Sequence, residues 1–133
     1  MGYHLAMKIK ATRITFLSTG DETQWISRQD LTSWTEGIMK ASGKQTDAGH
    51  FDYQRAGLRI TPDKDNEDVV KKVILDIPLP KSEINKPIRD AIFSLDSVAP
   101  MDVSVDDYTV DTDTFAKTHQ RSLDGAYVVQ ADN

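Results

Sequence analysis

Asp106, Asp107, Asp111 and Asp113 are the densest set of potential metal ligands or acid/base groups in the chain. Carboxylates this close together offer the several oxygens that a calcium ion takes. The glycine and final glutamate of an EF-hand loop are missing, and a run of acids is ordinarily a solvated surface. The histidines His4, His50 and His119 lie far apart and share no metal-ligand spacing. Serine, histidine and aspartate are all present, but there is no G-x-S-x-G and no other nucleophile signature. A G-x-G-x-x-G or Walker-type phosphate loop is also missing. The chain therefore reads as a protein with no catalytic residues, no metal and no cofactor, and not as an enzyme.

The basic residues of the extended segments point to a different chemistry. With Leu58 and Ile60 facing a core, the two-residue period of a strand puts Arg55, Arg59 and Thr61 on the opposite face. In the next segment Val73, Leu75 and Ile77 share one face, and Lys72, Ile74 and Asp76 share the other. In a third, Phe93 and Leu95 oppose Ile92, Ser94 and Asp96. One sheet face is expected to display Arg55, Arg59, Thr61, Lys72 and Ser94. Cations of that kind contact phosphates, while hydroxyls and apolar patches contact bases, so the face suits a nucleic acid. An ordinary solvated sheet face fits the same pattern.

Several elements must position these residues. Two apolar runs, 69–77 and 91–98, are rich in β-branched or aromatic residues and stop near Pro78 and Pro100. Both read as strands of an antiparallel sheet. Residues 8–18 form another strand candidate, and 23–27 are expected to return beside it as a hairpin across the turn at 18–22. The period then changes. Ser27 followed by Asp30 resembles a helix-capping pair, and Leu31, Trp34, Ile38 and Ala41 lie on one helical face up to Gly43. Residues 51–61 read as a strand. Pro78, Pro80 and Pro87 keep most of the following connection irregular. Residues 101–105 alternate as a strand would, and 113–123 form a short helix with Phe115, His119 and Leu123 on one side. The apolar tail at 126–129 is expected to dock on the rest of the chain. The fold class that results is α+β, an antiparallel meander with an N-terminal hairpin and one or two short helices.

Composition sets the outer limits. The 133 residues read as one domain, with 1–7 as an N-terminal extension. The hydrophobic share of 38% is slightly low, so part of the burial is expected to come from a second copy. With no cysteine there is neither disulfide nor thiolate metal site, which fits a cytosolic or virion location. No apolar run reaches membrane-spanning length. The net charge of −5 is unevenly spread. Residues 1–64 carry nine Lys/Arg and seven Asp/Glu, and residues 65–133 carry seven against fourteen. A polyanion would meet repulsion from the C-terminal part and needs a local basic surface.

The phrases Lys72-Val73-Ile74-Leu75-Asp76-Ile77-Pro78 and Ala91-Ile92-Phe93-Ser94-Leu95, with Pro100 beyond, resemble strand-then-proline phrases of the coat proteins of single-stranded RNA bacteriophages. The order of elements over 12–123 is similar too: a hairpin at 12–27, a meander through 56–61, 69–78 and 90–100, and a helical end. The resemblance implies a structural subunit that dimerises by joining sheets edge to edge and assembles into an icosahedral shell. It also implies genomic RNA bound on the inward sheet face, and a virion or host-cytoplasm location. No membrane and no small-molecule substrate are expected. The competing expectation is a small acidic, non-enzymatic binding module or inhibitor. That module would engage a basic protein partner through residues 90–113.

Overall fold

The computed structural model describes residues 7–43, 56–118 and 128–129. It is α+β: an antiparallel sheet with two main helices packed against it. The long strands are β1 (Lys8–Ser18), β4 (Val69–Ile77) and β5 (Met101–Asp111), with the shorter β3 (Gly57–Pro62). The helices are α1 (Arg28–Gly43), α2 (Lys86–Phe93) and the short α3 (Thr112–Thr118). Two short strands, β2 (Ile26–Ser27) and β6 (Val128–Val129), complete the sheet. Its order is β5-β1-β4-β3-β6, and β2 also pairs with β4.

Without the two short strands, the chain runs β-α-β-β-α-β with all four long or medium strands antiparallel to their neighbours. Strands β1 and β3 flank β4, while β4 and β5 flank β1. This interleaving of two βαβ units is the split-βαβ arrangement. Both helices lie on the same sheet face. Ile14 and Phe16 of β1, Leu58 and Ile60 of β3, and Val73, Leu75 and Ile77 of β4 join one core. Leu31, Trp34 and Ile38 of α1 and Ile88 and Ile92 of α2 join it from the helical side. The strand residues have one parity, as a half-covered sheet requires.

Helix α1 begins as its sequence predicts. The Ser27 hydroxyl accepts from the Asp30 amide at 3.0 Å, and the Asp30 carboxylate accepts from the Ser27 amide at 3.3 Å. This is a reciprocal capping pair with aspartate in the usual glutamate position. Strand β4 also matches its expected span. A register shift at Thr61/Pro62 leaves Lys71 as an extra residue in β4. The bulge lets Val70 join Val73 in the core, although the two are three positions apart.

Two expectations are overturned. Residues 91–98 are not a strand. They complete α2 and a 3-10 turn, Ser94–Ser97. The core positions are Ile84, Ile88, Ile92 and Leu95, with steps of four, four and three. Pro87 lies in the first helical turn, where its missing N–H breaks no bond. The second correction concerns the hairpin. Residues Ile26–Ser27 do not return along β1. They rejoin β4 on the edge that β1 has just left, running in the same direction (Leu17↔Lys72, then Ile26↔Val70). Residues 19–25 bulge out between the two segments. Asp21 caps a 3-10 turn there, and Trp25 Nε1 donates to the Gly20 carbonyl at 2.8 Å.

The C-terminal third contains more strand than alternation alone predicts. Strand β5 continues through Asp106 and Asp107 to Asp111 and pairs with β1 along its whole length. Helix α3 covers part of the expected 113–123 helix and buries Phe115; His119 and Leu123 lie outside the described residues. Val128 and Val129 dock as a parallel strand on Arg59 and Ile60.

Candidate functional site

The sheet face turned away from α1 and α2 has a charged centre. Asp76 lies next to the last residue of β4 and is fully buried. A lone carboxylate in such a place costs several kcal/mol unless cations and hydrogen bonds compensate it. Two arginines compensate this one. Arg13, its cross-strand neighbour on β1, donates from Nε at 2.8 Å and from Nη2 at 3.0 Å, one bond to each oxygen. Arg59 reaches it diagonally from β3, with Nη2 3.5 Å away. The residue directly opposite Asp76 on β3 is Gly57, which has no side chain to block that reach.

The two arginines are held unequally. Arg13 forms a forked, charge-assisted pair and lies over the Tyr108 ring, 5.2 Å from its centroid. Hydrogen bonding to Asp76 raises its pKa further above the ordinary arginine value. Burial raises the Tyr108 hydroxyl, and the Asp76 charge adds to that rise against the opposing effect of the arginines. Tyr108 thus remains a hydrogen-bond donor at any physiological pH. Among the described residues, the Arg59 side chain has only this longer contact, and its Nε is buried with no hydrogen-bond partner. An orphaned donor costs roughly 1–3 kcal/mol. Both arginines share the Asp76 carboxylate, and Asp106 stands in register with Arg13 on β5.

The expected face is assembled in part. Thr61 and Lys72 are direct cross-strand partners, and Arg59 pairs with Ile74 two positions along. All three lie on the side opposite the helices, as the strand period predicts. Ser94 does not. It sits at the end of α2, where its hydroxyl donates to the Ala91 carbonyl at 2.7 Å. Its assignment to the RNA face is therefore corrected, because the segment is helical. Arg55 lies outside the described residues. Arg13 joins the face unanticipated by the sequence reading. The available signal was Asp76 itself, a charge inside the apolar run Ile74-Leu75-Asp76-Ile77, which needs a cation nearby.

The acidic stretch has a definite form as well. Among the described residues, β5 pairs only with β1, and none of its eleven residues is buried. Asp102 and Asp106 point to the arginine face, and Asp107 and Asp111 to the helical side. The Thr12 hydroxyl donates to the Leu79 carbonyl at 2.8 Å and lies 3.1 Å from Asp107 Oδ1. A shallow cavity of about 360 Å³ opens beside it, lined by Lys10, Ser82, Asp107 and Thr109 among others. Among the described residues, no three of His, Asp or Glu are placed to hold a metal ion.

A second acidic cluster lies where the 19–25 excursion meets the β3–β4 turn. Glu22, Asp63 and Asp65 line a cavity of about 330 Å³. A hydrogen bond shared with Asp63, and the charges of Asp63, Asp65 and Asp21, raise the Glu22 carboxyl above the usual glutamate range. The contact therefore contributes stability below the unfolded-state pKa of glutamate and loses it as pH rises through the higher folded value. Glu22→Gln keeps a hydrogen-bonding group without the charge. Its stability relative to wild type should rise between about pH 4 and about pH 7, as read from urea midpoints. An equal offset at both pH values would show that the two carboxyls do not interact.

No family model, no curated protein and no solved structure matches this chain.

Proposed function

We propose that this chain is a non-enzymatic structural subunit that contacts single-stranded RNA through the sheet face opposite α1 and α2. In this reading it assembles with further copies into a coat. The observation that carries the proposal is the collection of Arg13, Arg59, Lys72 and Thr61 on one face, with two arginines set against a single buried carboxylate. Three cations thus stand beside hydroxyls on this face, where phosphates and bases are contacted together, with Asp76, Asp102 and Asp106 as the carboxylates of the same face. Tyr108 adds an aromatic ring to the same face.

The test is the state of the purified protein. It should elute as large particles with nucleic-acid absorbance, and combined Arg59→Ala and Lys72→Ala substitutions should reduce RNA content and flatten its salt dependence. Elution as a small species without nucleic acid overturns the proposal.

Strand β5 favours a second reading, the acidic module for a basic partner. An unburied edge strand is a template for another extended chain. Antiparallel pairing of two β5 edges brings aspartates of the two copies against each other, and like charges opposite one another are destabilising. That edge suits a cationic strand better than a second copy, so a coat assembly would draw on other surfaces. In this reading a basic partner is lost at high salt, and also when Asp102, Asp106, Asp107 and Asp111 become Asn. Capture that is insensitive to both changes removes it.

A further inference from the structure

We propose that Arg13 and Arg59 form a clamp for one phosphate group, with Asp76 as the internal counter-ion from which an incoming phosphate draws Arg59 away. The clamp rests on the RNA reading for the source of its phosphate, although its chemistry does not require RNA.

Three observations carry it. First, one buried carboxylate is shared by two guanidinium groups, so Asp76 keeps a cationic partner when one of them turns to an outside anion. Second, the sharing is unequal. Arg13 binds both Asp76 oxygens at 2.8 and 3.0 Å, while Arg59 sits at 3.5 Å and is bound through one nitrogen. Arg59 can leave without stripping Asp76 of its main partner. Third, Arg59 Nε is buried and lacks an acceptor among the described residues. A small outward turn of Arg59 gives Nε and a terminal nitrogen two parallel bonds to phosphate oxygens, the geometry a guanidinium fork matches. Arg13, which is partly exposed and braced by Tyr108, stays in place as the second cation. Asp106, paired in register with Arg13 on β5, borders the site and weighs against highly charged anions. A singly charged phosphodiester suits this setting better than a phosphate monoester.

The same chemistry is offered by an RNA backbone and by free phosphate, so the test has an arm for each. The arginine Nε–H resonances of the full chain are followed by NMR during titration with inorganic phosphate. Affinity for a fluorescein-labelled single-stranded RNA oligonucleotide is read by anisotropy across a salt series. The Arg59 Nε–H signal should shift with phosphate. Arg59→Gln should weaken RNA binding about tenfold and lower the salt slope by about one. Arg59→Lys, which keeps the charge but not the fork, should recover only part of the loss. Asp76→Asn, where folded, should bind RNA more tightly because both arginines are released; unchanged or weaker binding overturns the counter-ion role. A phosphate-dependent shift without RNA binding supports the clamp and sinks the RNA reading. RNA binding that Arg59→Gln leaves unchanged sinks the clamp alone. Failure of both phosphate and RNA to bind removes both.

Discussion

Arg13→Ala is expected to lower the unfolding free energy by about 3–5 kcal/mol, the usual cost of removing one partner from a buried ion pair. The variant keeps the Asp76 carboxylate fully buried and takes away its two short bonds. Arg59 remains, but at 3.5 Å and through one nitrogen. The reverse change, Asp76→Ala, should cost less. Arg13 retains 40% of its side-chain exposure and can be hydrated where it stands. The double variant Arg13→Met with Asp76→Leu should recover most of the loss, because a packed apolar pair of similar volume replaces a charge pair at little net cost. Urea denaturation of the four proteins checks the series. A loss below about 1 kcal/mol for Arg13→Ala would mean that water or Arg59 already satisfies Asp76, and the buried-pair account would fail.

Trp34→Ala should cost about 3–5 kcal/mol, as large-to-small changes in a closed core do. Trp34 projects from α1 and is 6% exposed. Its ring meets Phe16 of β1 edge-on, with centroids 5.5 Å apart and planes at 82°, an arrangement that adds stability beyond the area buried. Its Nε1 donates to the Ile92 carbonyl near the end of α2 at 2.8 Å. One side chain therefore ties both helices to the sheet. Trp34→Phe keeps most of the packing and loses that hydrogen bond, so it should cost about 1–3 kcal/mol for the Ile92 carbonyl left unpaired. Near-ultraviolet circular dichroism and urea midpoints distinguish the two variants. If Trp34→Ala left both unchanged, the helices would be held by other contacts.

How far the sequence could be read depended on whether the burial period was clean. In β4 the alternation of Val73, Leu75 and Ile77 against Lys72, Ile74 and Asp76 places every side chain on its observed face. Leu58 and Ile60 against Arg59 and Thr61 behave the same way. The capping pair and the Leu31, Trp34, Ile38 stripe likewise place α1. At 84–98 the β-branched and aromatic content favours strand, while the spacing of Ile88, Ile92 and Leu95 favours helix. Packing against α1 decided it, in line with tertiary context overriding propensity. The aspartates of β5 masked a strand that pairs throughout with β1, because on an uncovered edge charged side chains stay in water and cost little. The Arg13–Asp76–Arg59 group was out of reach, since it depends on β1 lying beside β4 and β3 on its other side. No local pattern encodes that neighbour order.

Strand β4 adjoins β1, β2 and β3, and this sets how the molecule comes apart. Each βαβ unit borrows its middle strand from the other, so neither half can persist alone once they separate. Opening of the interior has to be all-or-none, while the rims at β5 and β6 can breathe separately. In amide hydrogen exchange the slowest protons should lie on β4 and the facing part of β1, all released together at the global unfolding rate.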